Sequence, residues 1–351
     1  MHRSVVSTGV AALALFARAV ARAPWPWLRW AGALLGLSAG SILRIRRVHV
    51  ETAMRRACLT GVPALARSMY ASLGTAVFEF LWLVGRGAPP ALVLGERARA
   101  VLAEHGRAAK RGTRQRGFVV ATAHTGNWDF VGCALARDHV DLSVVTKRLS
   151  LPWLDRFWQE RRSSFGIELL HGAGVFGRAV EAVQRGRAVA LLIDQVPERR
   201  SAVTELSFLG QRARCDTTPA LLAARTGAVL VLALGRRLPD GRHTVDVPLI
   251  LDPPPRASRR WVEDATRALN VALERFVLEH PSQWLWMHRR WKEISHAPAS
   301  RSGRRRSAPA PRGQFFALPD HDRPIQRGGH VRCGEAAAKG APMATAARRS
   351  P

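Results

Sequence analysis

A histidine followed five residues later by an acid occurs three times in this chain: His124/Asp129, His288/Glu293 and His330/Glu335. With 12 histidines and 26 acidic residues, about one such pair is expected by chance, so the spacing alone carries little weight. The chemistry it offers is definite. A carboxylate beside an imidazole fixes the tautomer and stabilises the imidazolium, as a general base acting on a hydroxyl requires. Residues five apart do not share a face of a regular helix. His124 must therefore precede a helix if Asp129 is to approach it.

Two further motifs compete. Gly172-Ala173-Gly174-Val175-Phe176-Gly177 is a G-x-G-x-x-G between an expected strand and an expected helix, and the next strand ends at Asp194. Together these describe a dinucleotide site, which makes a dinucleotide-binding oxidoreductase the rival reading. The plainer alternative is a turn whose glycines free the backbone. Gly36-Leu37-Ser38-Ala39-Gly40 has the form of a nucleophile elbow, but an elbow needs strand–turn–helix, and this one lies inside an apolar N-terminal segment. It is rejected. Cys58, Cys133, Cys215 and Cys333 form no Cys-x-x-Cys pair, which argues against a disulfide framework or zinc site and fits a reducing compartment. Neither metal nor cofactor is expected.

The elements around His124 favour the first motif. Phe118–Ala123 is a short β-prone run of the kind that forms a buried parallel strand. Thr125-Gly126-Asn127 supplies turn and helix-start residues. Phe130, Val131, Ala134 and Leu135 then give a helix its buried face. At the carboxyl edge of such a strand open α/β sheets bind their ligands. Further strands are expected over 142–145, 167–170, 188–193, 228–234 and 243–250, with helices over 175–185, 219–226 and 261–279. The alternation predicts an α/β fold with a mostly parallel central sheet flanked by helices. Residues 281–292 read as a Trp-rich helix and 208–210 as an apolar turn.

At the N-terminus, apolar segments over 5–21 and 27–43 enclose Trp25, Trp27 and Trp30. They predict a membrane-anchoring helical segment, either spanning once or lying in the interface. Arg44, Arg46 and Arg47 would keep the following domain on the cytoplasmic side. The expected organisation is an anchor over 1–47, a catalytic domain over 48–296 and a disordered basic tail over 297–351. The formal charge is +28, from 54 basic and 26 acidic residues. That favours anionic partners such as a lipid surface or a phosphorylated substrate. With no recognisable fold motif or base-stacking platform, a specific nucleic-acid partner is not expected.

HTGNWD followed at this separation by PSQWLWMHRRWK resembles the bacterial lipid A biosynthesis acyltransferase family, within the wider glycerolipid acyltransferase-like group. The likeness spans about residues 20–293 and takes in SMYASLGTAVFEFLWL, the IDQ turn at 193–195 and the SFLG turn at 207–210. It implies transfer of a fatty acyl chain from an acyl carrier protein or coenzyme A thioester to a hydroxyl of a membrane glycolipid. It also implies a site on the cytoplasmic face of the bacterial inner membrane. Carried over, His124 is the general base and Asp129 its partner, with Asp where the lipid A enzymes commonly have Glu. Gly126, Asn127 and Trp128 line the substrate, the first two through N–H groups placed for an oxyanion. Arg162, preferred to Arg161 because it keeps the Arg-x-x-x-Gly spacing to Gly166, lies near the site. Asp194 matches the Asp-Gln turn, and Glu205 an acid of some mycobacterial glycolipid acyltransferases.

Overall fold

The computed structural model describes residues 2–87, 92–105, 117–197 and 202–291. The tail from 297, the loops expected at 110–116 and 198–201, Glu293, and the His330/Glu335 pair lie outside them.

Four helices come first: α1 (His2–Val20), α2 (Trp25–Leu37), α3 (Arg47–Arg56) and α4 (Val62–Arg86), with a π-helical turn over Ser38–Ile42. Prolines in the first turns of α2 and α4 suit positions whose N–H groups have no intrahelical partner. Glycines let α2 and α4 touch backbone to backbone: a Cβ on Gly74 would lie 2.1 Å from the Gly32 carbonyl and 2.5 Å from the Gly36 nitrogen. The N-terminal segment is thus packed onto the rest of the fold. By length and composition α4 is apolar enough to cross a membrane, yet half of it is buried inside the protein. α2 instead turns Trp27, Trp30, Leu34 and Leu35 outward, and Ile42, Leu43 and Val48 extend this exposed apolar surface.

The remaining elements alternate: β1 (Val93–Leu94), α5 (Glu96–His105), β2 (Val119–Thr122), α6 (Trp128–Asp138), β3 (Leu142–Val145), α7 (Pro152–Ser164), β4 (Glu168–Leu170), α8 (Val175–Gln184) and β5 (Ala188–Leu192). Next come β6 (Val203–Phe208), β7 (Gln211–Asp216), α9 (Thr218–Thr226), β8 (Leu230–Arg237), β9 (His243–Leu251) and α10 (Arg259–Glu279). Seven strands form one sheet in the order β1-β9-β8-β2-β5-β3-β4, parallel except where β9 meets β8. The expected mixed α/β fold with a mostly parallel sheet is what the chain adopts.

The two faces of the sheet differ in side-chain size. One presents Val119, Ala121, Val189, Leu191, Leu230 and Leu232 to α9 and α10 in a filled core. The other carries smaller residues in its centre, Ala188, Ala190 and Ala233, beneath α5 and α6. Strand alternation sends each set to its own side.

The expected apolar turn near 208–210 is present inside a hairpin that was not foreseen, and one local expectation fails. β6 and β7 form an antiparallel hairpin with Phe208 opposite Gln211, so Leu209-Gly210 is its two-residue turn. Both turn residues have positive φ, 50° and 72°. Leucine is a poor choice there, but Leu209 is buried and its N–H donates to the Glu274 carboxylate. Residues 281–291 are not a helix: a 3₁₀ turn over Pro281–Gln283 leads into an irregular strap. Its anchor is Arg290, which is buried and donates to the Arg214 carbonyl, Cys215 Sγ and the Asn270 side chain.

Candidate active site

β2 and β5 are parallel neighbours in the register Thr122↔Leu192. Two residues beyond those positions stand His124 and Asp194, so the register brings them side by side. His124 Nδ1 and Asp194 Oδ1 are 2.9 Å apart. Asp194 Oδ2 accepts the His124 backbone N–H at 2.9 Å and the Trp284 indole N–H at 3.0 Å. The Asp194 side chain is 0% exposed. Burial would raise its pKa, but His124 and the hydrogen bonds outweigh burial and hold it below the ordinary carboxylate range. An ionised carboxylate only accepts, so Nδ1 carries the proton and Nε2 is left with its lone pair.

The spacing pointed to Asp129 as the partner; in the structure the carboxylate against His124 Nδ1 is that of Asp194. In the first turn of α6, Asp129 accepts from Arg162 Nε at 2.7 Å and from the Trp158 indole at 2.8 Å. A residue five positions on begins the next helix and swings away, while the neighbouring strand supplies an acid in register. Arg162 lines the same cavity as His124, whereas Arg161 lies over the Phe157 ring.

The turn between them is tightly held. Gly126 has φ 55°, and a Cβ there would fall 2.7 Å from the Gly235 carbonyl. Its N–H donates to the Gln283 carbonyl at 2.7 Å, so it is not available to an oxyanion as the sequence suggested. Asn127 caps α6 by accepting from the Phe130 N–H, and its amide donates to the Ala76 carbonyl and to Glu79. Trp128 meets the His124 ring edge-on at 4.9 Å.

Glu79, within SMYASLGTAVFEFLWL, was given no role by the sequence reasoning. Fully buried, Glu79 accepts two hydrogen bonds from Arg237 at 2.8 and 2.7 Å, while His243 Nε2 approaches to 3.3 Å. Burial pushes its pKa up, but His243 and Arg237 prevail and bring it to about 2. A glutamate in an otherwise apolar helix stripe was the available signal. Removing it strands a buried guanidinium and frees the Asn127 cap. Glu79→Ala is expected to cost about 3–5 kcal/mol, read by chemical denaturation. Because the folded pKa lies below the ordinary glutamate value of 4.5, this stabilisation is complete above about pH 4.5 and fades as pH falls towards 2. A Glu79→Gln protein should therefore show a shallower acid-side loss of stability than the parent.

A cavity of about 490 Å³ runs from His124 along the small-residue face of the sheet, roofed by α5 and α6. Its size lies within the roughly 300–1,000 Å³ typical of small-molecule sites. Val120, Ala190, Leu192, Val231 and Ala233 floor it, Val101, Leu135 and Gly132 roof it, and Trp128, Asp129, Lys147, Arg148 and Arg162 stand with His124 around its polar part. It is an apolar slot with one polar, cationic end.

From the strap, His288 places its ring 4.4 Å from that of His124. Burial first, then the neighbouring His124, push the His288 pKa down to about 4, so it is a neutral imidazole near pH 7. Donor atoms of His124, Asp194 and His288 lie within 4.8 Å of one another, the spacing at which a metal could be held. Asp194 already accepts three N–H groups, a pattern that suits an imidazole–carboxylate pair better than a coordinating carboxylate. Glu205 lies on β6, pairs with exposed Arg212 and does not line the cavity. Gly172 and Gly174 lie in an open turn that leads into α8, which holds Gly177, and none of the three lines the cavity. With Asp194 committed to His124, the dinucleotide reading loses its ribose-binding acid.

Comparison with known proteins agrees with the α/β acyltransferase likeness. The family model described as bacterial lipid A biosynthesis acyltransferase matches residues 2–293. The phosphatidylinositol mannoside acyltransferase of Mycolicibacterium smegmatis is 34% identical over 119 residues, 33% of this chain and 38% of that protein. Its Mycobacterium tuberculosis counterpart is 33% identical over 119 residues, 33% of this chain and 37% of that protein. The lipid A biosynthesis lauroyltransferase of Escherichia coli is 31% identical over 123 residues, 35% of this chain and 39% of that protein. The chain thus matches less than two fifths of the length of each relative.

Proposed function

From the premise that this chain belongs to the bacterial lipid A biosynthesis acyltransferase family, we propose that it transfers a fatty acyl group from an acyl carrier protein or coenzyme A thioester to a hydroxyl of an anionic membrane glycolipid. The observation that carries this reading is His124, oriented by buried Asp194 at the polar end of an apolar slot. His124 Nε2 takes the proton of the acceptor hydroxyl as its oxygen attacks the thioester carbonyl. Asp194 stabilises the imidazolium, and the collapsing intermediate expels the thiolate, which recovers that proton. The first-turn N–H groups of Trp128 and Asp129 are the candidates for the oxyanion, since Gly126 is occupied. Arg162, held by Asp129, and the nearby Lys147 and Arg148 offer charge to a donor or acceptor phosphate. Incubation with radiolabelled acyl-carrier-protein and acyl-coenzyme A, each with a membrane lipid extract, tests the activity. Label remaining on both donors would overturn it.

The acyl chain takes the slot. Gly132 lies on its roof, and a Cβ there would meet only Ile167 Cδ1, at 4.0 Å. Gly132→Leu fills space without backbone strain and raises helix propensity by roughly 1 kcal/mol. Its products should carry chains at least two carbons shorter than the parent's, by mass spectrometry after competition among donors of mixed length. An unchanged distribution would place the chain elsewhere.

The chain is proposed to work at the cytoplasmic face of the inner membrane, docking rather than spanning. Trp27 and Trp30, 69% and 66% exposed, share an outward surface with Leu34 and Ile42, bordered by exposed Arg44 and Arg46. Apolar residues beside cations suit an anionic bilayer surface. Trp27→Ser/Trp30→Ser should release the protein from phosphatidylglycerol vesicles while leaving its melting temperature within a few degrees.

A further inference from the structure

A second cavity, of about 200 Å³, lies between α3 and the strap and is lined by His49, Thr52, Ala53, Arg56, Arg289 and Trp291. Arg56 and Arg289 are both exposed, and neither guanidinium has a hydrogen-bond or carboxylate partner among the described residues. Glu51, the one acid of α3, is already taken by Arg47 and Arg55. Two uncompensated guanidiniums across a small cavity match a phosphate dianion, which each can meet with paired N–H groups. The other walls suit a sugar. Trp291 is half-buried with its indole N–H held by the Phe208 carbonyl at 3.1 Å, so its ring is a fixed plate for the C–H face of a pyranose. Thr52 adds a hydroxyl.

This cavity is tied to the reacting centre through the strap. His49 Nε2 donates to the His288 carbonyl at 3.0 Å, and the His288 ring touches His124. We infer that the cavity binds a phosphorylated hexose, the headgroup of the acceptor. The choice of acceptor over donor rests on the acyltransferase reading above; the binding itself does not.

Calorimetric titration of the detergent-solubilised full chain with glucose 6-phosphate, inorganic phosphate and glucose tests it. Glucose 6-phosphate should bind at least tenfold tighter than either alternative. Arg56→Ala/Arg289→Ala should weaken it at least tenfold, with partial recovery in the double lysine variant. Equal affinity for inorganic phosphate would overturn the saccharide assignment. Undetectable binding, or binding indifferent to both arginines, would overturn the site. If the double alanine variant instead only loses phosphatidylglycerol vesicles, the arginines serve the bilayer and the inference fails. Acyl transfer by a parent protein that binds no glucose 6-phosphate would sink this inference alone. Failure of transfer beside intact hexose phosphate binding would sink the acyltransfer reading alone.

Discussion

His124→Ala is expected to lower acyl transfer by on the order of 10⁴-fold or more, because it removes the base proposed to ionise the attacking hydroxyl. Compensation by a neighbour is not available. His288, the nearest imidazole, is a poor substitute, because burial, the larger cause of its lowered pKa, persists in the variant. The variant leaves Asp194 the residue-124 backbone N–H and the Trp284 indole but no imidazole partner, so stability should fall by about 3 kcal/mol, while the filled core, which His124 does not enter, keeps its packing. Single-turnover assays, paired with circular dichroism and vesicle binding, separate loss of chemistry from loss of structure. Turnover within tenfold of the parent would remove His124 from the mechanism.

Asp194→Asn is the sharper test, because it changes almost nothing but the direction of hydrogen bonds. Oδ2 of Asp194 receives two N–H groups, from His124 and Trp284. In an asparagine that position must stay oxygen, which turns the NH2 towards His124 Nδ1. Nδ1 must then accept, the ring proton moves to Nε2, and the lone pair that should face the substrate hydroxyl is gone. The expected loss is about 10³–10⁴-fold in kcat, the size seen when a triad histidine is held in the wrong tautomer. Asp129→Asn should behave differently. It weakens the hold on Arg162, so KM should rise more than kcat falls. If Asp129→Asn gave the larger kcat defect, the five-residue spacing would have been the right guide after all.

These two variants also mark where the sequence stopped being readable. The strand, the turn and the helix around His124 were visible in local composition, and so was the alternation that builds a parallel sheet. Asp194 was visible as a strand-end acid. Its partnership with His124 was not, because 70 residues separate them and only the β2–β5 register joins them. Glu79 was hidden for a similar reason: Arg237 lies 158 residues further along the chain and His243 just beyond it. The β6–β7 hairpin escaped because Leu209 takes a positive φ that tertiary packing enforces. The strap escaped because its tryptophans are held by contacts that composition does not show: Trp284 donates to Asp194, 90 residues away, and Trp286 to the Pro281 carbonyl.

That strap has a temporal consequence. All seven strands of the sheet have been made by Leu251, so strand pairing can precede the strap. The turn carrying His124 still lacks its bridge to Trp284, the Gln283 carbonyl that fixes Gly126, and the indole that helps hold Asp194. Before the strap is made the strands can pair, but the core still lacks Trp284 and Trp286 and the His124 turn is not fixed. Such contacts, distant in sequence and late in synthesis, are also the slowest to form on refolding. Recovery of activity should trail recovery of secondary structure.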